Sequence, residues 1–265
     1  MNTRLRKIIE PIYFWLAAFG VNPLTLMKGI MSLPFVITDY IVLIRQNKNS
    51  KHKFKIKFST PCLTDKFDYN SIDSGHYFLQ DLYVARKIFE RNPKRHIDVG
   101  SRIDGFITHV ASFREIESAD IRPPRCNIPN VIFNQIDITD KRLIPKKQYD
   151  SLSCLHALEH FGLGRYSDRV NIDGYIIGFK NLTEMVKQGG IIYLSVPIGE
   201  ERIEFNGHRV FDVKTILEMI KPYTYVINFS YIDDIGVFHK NVDVYNIQDN
   251  CEYHYGCGIF ELIKI

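Results

Sequence analysis

Hydrophobic and polar positions follow one pattern before residue 92 and another after it. In the first part, apolar residues recur at helical spacing in two stretches that turn residues separate around Asn22. A later stretch places its apolar residues on one helical face, and a short basic segment alternates with apolar residues like an exposed strand. The predicted helices are Thr3–Phe19, Pro23–Gln46 and His76–Arg91, and the predicted strand is Lys53–Ser59.

After residue 92, short apolar runs alternate with amphipathic helical segments. This alternation predicts an α/β domain whose largely parallel sheet is covered by helices on both faces. The predicted strands are Arg95–Val99, Ile116–Ile121, Val131–Ile136, Ser151–Leu155, Ile191–Val196, Tyr225–Ser230 and Gly258–Ile263, and the helices between them include Phe106–Ala111, Tyr175–Val186 and Val213–Ile220.

The first apolar stretches determine how the N-terminal part is interpreted. A spanning helix needs about 20 apolar residues, and Lys28, Pro34 and Asp39 interrupt the run from Pro23 to Ile44. We therefore predict no transmembrane segment, but a pair of buried or partner-facing helices; loose contact with a membrane surface is the alternative. The predicted organisation is a helical or lid segment over 1–75 and a ligand-binding domain over 76–265.

Composition narrows the class of protein further. Hydrophobic residues make up 45% of the 265 residues and charged residues 24%, which is typical of a globular domain. A net charge of +4 is too small to indicate nucleic acid, although it suits an anionic small substrate. The five cysteines form no CxxC pair and no signal-peptide cleavage site follows the N-terminal basic residues, so we predict a cytoplasmic protein with reduced thiols.

The candidate chemistry begins where the first strand after residue 92 runs into a turn and a helix. Ligands of open α/β sheets bind beyond the carboxyl ends of the strands, and glycine permits close approach of the backbone. The turn is followed by acidic residues at the ends of the next two strands: Asp120 suits the hydroxyls of a ribose. The candidate cofactor residues are Asp98, Gly100, Ser101, Arg102, Gly105, Asp120, Ile121, Asp137, Ile138, Cys154 and Leu155.

The fourth strand ends in a cluster of titratable residues, His156, Glu159 and His160. No third protein ligand at suitable spacing accompanies them, so we predict no metal site. The pair Glu159-His160 is interpreted as a buttress of the strand–helix junction.

Taken together, these residues resemble the class I S-adenosylmethionine-dependent methyltransferases in their order and spacing. The segments Phe161–Asp168, Gly189-Gly190, Ser195–Gly199 and Phe205–Arg209 narrow the resemblance to a family of uncharacterised Rossmann-like methyltransferases. Its bacterial members commonly occur with capsule and lipopolysaccharide genes. The resemblance is best from residue 76 to residue 212.

The resemblance implies a Rossmann-like class I methyltransferase fold: a seven-stranded mixed sheet with an antiparallel last strand, plus the N-terminal helical segment. It also implies S-adenosylmethionine as cofactor, with Asp137 bonding the adenine amino group and Ile138 packing on the ring. The implied reaction is O-methylation of a surface-glycan precursor, at a sugar hydroxyl or a phosphate- or phosphoramidate-type group. One departure is that Arg102 stands where the superfamily turn has its second glycine, and the last glycine is displaced to Gly105.

A hydroxyl acceptor needs a base, and a histidine titrating near neutrality is suitable. His208, in a loop expected above the methyl group, is the first candidate and His156 the second; an anionic acceptor oxygen would need no base. Arginine binds phosphate or carboxylate through two parallel hydrogen bonds. The candidate substrate-binding residues are Arg165, Tyr166, Asp168, Arg209, His76 and Tyr77.

Three alternatives remain open. A NAD-dependent sugar-modifying enzyme would carry a Gly-x-x-Gly-x-x-Gly turn near the N-terminus and a Tyr-x-x-x-Lys pair after the fourth strand, and the sequence has neither in these places. A catalytically inactive methyltransferase-like subunit would bind a partner through the N-terminal helices. An RNA or protein methyltransferase would be expected to show a basic stripe. The expected partners are a small-molecule or nucleotide-linked glycan substrate and, as an open question, a second copy of the chain.

Overall fold

The computed structural model describes residues 3–49, 56, 62–63, 75–145, 148–166, 168–204, 207–246 and 253–265. The predicted strand Lys53–Ser59 lies outside the described residues, apart from Ile56. The chain divides into two units, Met1–Ser71 and Ile72–Ile265, and each is described by itself.

The first unit contains the helices α1 (Thr3–Ala18) and α2 (Pro23–Asn49). Asn22 caps α2, since its Oδ1 accepts from the backbone N–H of Thr25 at 3.0 Å, and Pro23 occupies the first helical position, where its missing N–H costs nothing. The helix runs through Lys28, Pro34 and Asp39, in agreement with the predicted helix Pro23–Gln46, and extends three residues further.

The length and composition of α2 bear directly on the membrane prediction. Its 27 residues include an 18-residue window with a mean hydropathy of 1.6, so the helix is long and apolar enough to cross a membrane. The prediction of no transmembrane segment rested on Lys28, Pro34 and Asp39 interrupting the apolar run, but α2 reaches the length and hydropathy that spanning a membrane requires in spite of them.

The second unit is built on an eight-stranded mixed sheet in the order β3-β2-β1-β4-β5-β10-β8-β9, beside a two-stranded β6–β7 hairpin. All seven predicted strands are present in this sheet, and β9 is the additional one. The strands are β1 (His96–Val99), β2 (Ile116–Asp120), β3 (Val131–Gln135), β4 (Tyr149–Leu155), β5 (Val186–Ile198), β6 (Arg202–Glu204), β7 (His208–Val210), β8 (Thr224–Ile232), β9 (Phe238–His239) and β10 (Gly256–Lys264).

Strands β1 to β5 pair in parallel, and β10 inserts between β5 and β8 antiparallel to both. The predicted antiparallel last strand is thus confirmed. Because the parallel strands all point the same way, their carboxyl ends meet at one edge of the sheet.

Helices cover both faces of the sheet, as predicted. On one face lie α3 (His76–Arg91), a π-helical turn (Ile103–Ile107) and α4 (Thr108–Ala111); on the other lie α5 (Gly174–Met185) and α6 (Val213–Ile220). Each layer buries its own apolar cluster against the sheet, with Ile88 and Phe106 in the first and Phe179 and Ile216 in the second.

A buried carboxylate fastens α3 to the sheet. Glu261 on β10 is 1% exposed and accepts from Lys87 at 3.0 Å and Arg91 at 2.7 Å, both on α3. Tyr83 and Asn228 donate to the same side chain at 3.2 and 3.0 Å. These bonds hold the helix whose first residues reach the site described below.

We expect Glu261→Gln to destabilise the protein, because it removes the charge that two cations share while keeping the size of the side chain. The free energy of unfolding in urea should fall by about 1–3 kcal/mol. The matched control is Glu90→Gln on the same helix, whose ion pair with Arg86 is exposed and should leave stability unchanged. Equal effects of the two substitutions would contradict the role of Glu261.

Candidate active site

A cavity of about 1290 Å³ opens at the carboxyl ends of β1, β2 and β4. It exceeds the ~300–1,000 Å³ of ordinary small-molecule sites, so it has room for a cofactor together with a second molecule. Its walls come from the turn after β1, the ends of β2 and β4, and the loop after β4. Predicted residues that line it are Tyr77, Gly100, Ser101, Arg102, Asp120, Ile121, Asp137, Ile138, Leu155, His156, Arg165, Tyr166 and Asp168.

The turn after β1 requires glycine at position 100. Gly100 has a φ of +75°, and a Cβ there would lie 2.8 Å from the Cβ of Ala157. The backbone of the turn therefore lies directly against the segment after β4, which leaves the space beyond the two strand ends open to a ligand.

Asp98 was predicted to bind a cofactor, but the structure buries it completely beneath the turn. Its carboxylate accepts from the N–H and hydroxyl of Ser101 at 3.1 and 2.7 Å and from the hydroxyl of Ser153 at 2.5 Å. Burial raises the pKa of Asp98 to about 7, against hydrogen bonds that lower it. Asp98 is thus a positioning residue that shapes the turn.

Two other candidate cofactor residues, Gly105 and Cys154, also lie outside the cavity lining. A Cβ at Gly105 would lie 2.5 Å from Oδ2 of Asp81 on α3, so this glycine admits a neighbouring helix. Cys154 is fully buried within β4. Neither residue lines the cavity, and the displaced glycine of the turn is explained by packing.

Asp120 lies at the cavity wall, as predicted, but it is engaged by a residue that the sequence analysis did not single out. Arg122 donates to Asp120 through its backbone N–H at 2.8 Å, Nε at 3.1 Å and a terminal nitrogen at 3.0 Å. The Arg122 guanidinium also lies 4.0 Å from the ring centroid of Tyr166, across the cavity. The only sign of this pair in the sequence is that Asp120 and Arg122 stand two residues apart.

Asp137 and Ile138 line the cavity beyond β3. The Asp137 carboxylate accepts from the N–H and hydroxyl of Thr139 at 2.8 and 2.7 Å, the pattern by which aspartate side chains form turns. One carboxylate oxygen, Oδ1, makes both bonds, so Oδ2 remains able to accept from a ligand.

His156 and Glu159 form a buried pair at the end of β4. The Nδ1 of His156 lies 3.1 Å from Oε1 of Glu159, and both side chains are 1% exposed. Nε2 of His156 and Oε2 of Glu159 have no hydrogen-bond partner among the described residues. Burial lowers the pKa of His156, but the neighbouring Cys257 and Glu159 carboxylate raise it further, so the net shift is upward.

Aromatic rings surround this pair. Tyr77 lies 4.9 Å from the ring centroid of His156, while His76 stacks on Tyr255 at 5.6 Å. His208 contacts the other side of this cluster, 5.1 Å from Tyr255. Neither His208 nor His76 lines the cavity, and burial lowers the pKa of His208.

The predicted substrate residues after β4 divide into two groups. Arg165 and Tyr166 line the cavity, with the guanidinium 5.1 Å from the tyrosine ring. Asp168 also lines it, but its carboxylate accepts from the N–H groups of Gly162 and Gly164 and so shapes the loop. Arg209 does not reach the cavity and is 3% exposed, because its guanidinium donates to the carbonyls of Glu159, Phe161 and Ile172.

Within the described part of the chain, no group of three or more His, Cys, Asp or Glu side chains is arranged to hold a metal ion. His160, next to Glu159, instead bonds the Gly207 carbonyl through Nδ1 at 2.7 Å.

The strand order, the inserted antiparallel β10 and the glycine turn after β1 define the Rossmann-like class I methyltransferase fold. Similar solved structures include 1,6-didemethyltoxoflavin-N1-methyltransferase from Burkholderia thailandensis, crystallised with 1,6-didemethyltoxoflavin and S-adenosylhomocysteine. It is 11% identical, covers 71% of this chain and 79% of its own, and has a TM-score of 0.50. The N-methyltransferase NodS from Bradyrhizobium japonicum WM9 is 9% identical over 73% of this chain and 90% of its own, with a TM-score of 0.49.

At the level of sequence, residues 131–249 match the model of a family described as "Caenorhabditis protein of unknown function, DUF268". The matched stretch begins at β3, so it leaves out the turn after β1 and Asp120. No curated protein sequence matches the chain.

We expect the pKa of Asp98 to appear in the pH dependence of stability. A carboxyl whose pKa is about 7 in the folded state and near 3.8 in the unfolded state binds more protons when folded between these pH values. Its contribution to stability is therefore lost as pH rises from about 4 to 7. Asp98→Asn should remove this slope from urea unfolding measured across that range.

The matched control is Asp120→Asn, which lies at the end of the neighbouring strand, at the cavity wall. The free energy of unfolding of this variant should keep the wild-type slope between pH 4 and 7. An unchanged slope in Asp98→Asn would show that Asp98 is ionised in the folded protein.

Proposed function

We propose that the protein is an S-adenosylmethionine-dependent methyltransferase and that the cavity holds this cofactor. The observation that carries the proposal is the grouping of the Gly100 turn, Asp120 and Asp137 around one cavity at successive strand ends. Carboxylates in these two places match the ribose hydroxyls and the adenine amino group. The uncovered backbone of the turn suits the amino-acid end of the cofactor.

When bound, S-adenosylmethionine supplies a methyl group on a sulfonium that an acceptor atom can displace in line. Because that methyl group is already activated, the protein mainly has to align the acceptor and exclude water. Leu155 and His156 end β4 at the cavity wall, and the loop with Arg165 and Tyr166 bounds the same space. These residues would surround the acceptor.

For a hydroxyl acceptor we propose His156 as the base, ahead of His208. His156 lines the cavity, whereas His208 lies beyond Tyr255. The Glu159 carboxylate accepts from Nδ1–H of His156, which leaves the lone pair of a neutral ring on Nε2. For such an acceptor, Nε2 of His156 would take the O–H proton, and the bound cofactor would supply the methyl group.

We further propose that the acceptor is a precursor of a surface glycan. The support is the resemblance of the segments around 161–168 and 205–209 to methyltransferases found with capsule and lipopolysaccharide genes. The ring of Tyr77, which lines the cavity beside His156, offers an apolar face to a sugar, and Arg165 at the wall suits a phosphate. A small-molecule precursor of this kind would be methylated in the cytoplasm, before the glycan is assembled.

One observation favours a second candidate function. Arg122 occupies both oxygens of Asp120, which a ribose would have to share or displace, and Arg102 replaces a glycine of the turn. A methyltransferase-like subunit that binds no cofactor and acts through a partner would have this arrangement.

Binding of S-adenosylhomocysteine, measured by calorimetry on the full chain, separates the two functions. We expect micromolar affinity, with NAD as a non-binding control ligand. Asp120→Ala should weaken binding about 10- to 100-fold, since it removes hydrogen bonds to a charged group worth about 1.5–3 kcal/mol. Arg122→Ala should bind at least as tightly as the wild type, because it frees the carboxylate.

The matched control is Asp140→Ala. Asp140 and Arg142 form the same pair two residues apart, with distances of 3.0, 2.9 and 2.6 Å, and neither residue lines the cavity. Its affinity for S-adenosylhomocysteine should equal that of the wild type. Absence of binding by the folded wild type would overturn the enzyme proposal and favour the inactive subunit.

Methyl transfer from labelled S-adenosylmethionine to a panel of nucleoside-diphosphate sugars tests the base. The upward-shifted pKa of His156 predicts a rate that rises with pH above neutrality, where the imidazole loses its proton. Glu159→Gln should lower that pKa and move the rise to lower pH. His156→Asn should remove the rise while the affinity for S-adenosylhomocysteine is retained.

His208→Asn serves as the comparison, and we expect its pH profile to keep the wild-type shape. Loss of the pH-dependent rise in His208→Asn but not in His156→Asn would restore His208 as the base. A profile independent of pH in all variants would indicate an acceptor oxygen that is already anionic.

A further inference from the structure

Helix α2 has its large apolar side chains outside and its small or polar ones inside. Its buried residues are Gly29 and Ser32, and the space beside Gly29 is taken by Leu63, 3.7 Å from an added Cβ. Large apolar side chains of the same helix are 39–59% exposed: Leu24, Leu26, Met27, Ile30, Met31, Leu33, Phe35, Ile37, Ile41, Val42 and Leu43. Helices of water-soluble domains show the reverse distribution.

The exposed apolar residues are not confined to one face. Leu24 and Leu33 are nine residues apart, which is two and a half helical turns, so they point in opposite directions. A partner protein covers one stripe of a helix, whereas lipid covers every side.

Polar groups in the middle of α2 are satisfied within the helix. The hydroxyl of Ser32 donates to the Gly29 carbonyl at 2.9 Å, and the hydroxyl of Thr38 donates to the Pro34 carbonyl at 2.8 Å. In hydrocarbon, where no water is available, hydroxyl groups have to be paired in this way.

The length of α2 and the residues at its ends match a bilayer. The 21 residues Leu24–Ile44 span about 32 Å at 1.5 Å per residue, close to the ~30 Å hydrocarbon core. Arg45 and Lys48 follow at one end, and the aromatic residues Trp15 and Phe19 precede the other at 70% and 77% exposure. Aromatic and basic residues are typical of the membrane–water interface.

We propose that α2 is a membrane anchor that inserts into a lipid bilayer. The charged residues within it, Lys28 and Asp39, lie toward its two ends, and the ten residues between them carry no charge. The anchor stands apart from the proposed methyl transfer, because it rests on a different unit of the chain. Inserted in a bilayer, it would hold the α/β domain at the membrane surface.

Flotation of the purified full chain with phosphatidylcholine vesicles, followed by a carbonate wash at alkaline pH, tests the proposal. We expect the wild type to float and to resist the wash. The variant Leu33→Arg/Ile37→Arg places two charges at the centre of α2, and its floated fraction should fall by more than about tenfold. Thermal unfolding of each variant shows that the α/β domain is intact.

The matched control is Gln46→Arg/Asn49→Arg, which adds the same charge beyond the apolar stretch and should float like the wild type. Because phosphatidylcholine carries no net charge, charge attraction to the vesicles cannot account for flotation. A wild type that stays in the aqueous fraction as a discrete oligomer would overturn the anchor, since a second copy would then cover α2. Release of the wild type by carbonate, or equal flotation of both variants, would also overturn it.

Discussion

The pairing of β1 with β4 is the constraint on which the candidate site depends. The two strands pair in parallel, with Asp98 opposite Ser153, so their carboxyl ends emerge side by side. The chain then turns at Gly100, whose missing Cβ lets it lie against Ala157. Because Asp98 is buried and accepts three hydrogen bonds from Ser101 and Ser153, both strand ends are held from below. The cavity above them is what remains uncovered.

Helix α3 links this edge of the sheet to the rest of the domain. Glu261 holds one end of the helix through Lys87 and Arg91, while Asp81 fits against Gly105 near the other end. The first residues of α3, His76 and Tyr77, therefore arrive beside His156. A helix that lies before the sheet in sequence thus supplies one wall of the proposed acceptor space.

The two charge arrangements in the cavity have different physical character. The Asp120–Arg122 pair lies at the rim, where side chains can exchange partners with a ligand. The His156–Glu159 pair is almost completely buried, so its charge is poorly screened and its geometry is held by packing. The proposed chemistry uses these two pairs in the α/β domain, whereas the proposed membrane location uses the apolar surface of α2. Chemistry and location therefore depend on separate units of the chain.

The sequence by itself determined the seven main strands, the helices α3, α5 and α6 and the glycine turn, whereas the antiparallel last strand was implied by the family resemblance. Apolar periodicity is local and strong in these segments, and turn glycines leave a clear signal. Tertiary structure alone decided that Asp98, Gly105, Cys154 and Arg209 do not line the cavity, because their burial and their carbonyl contacts come from segments far apart in sequence. It also decided that the large apolar side chains of α2 are exposed while Gly29 and Ser32 are buried, which the apolar spacing of the helix does not reveal.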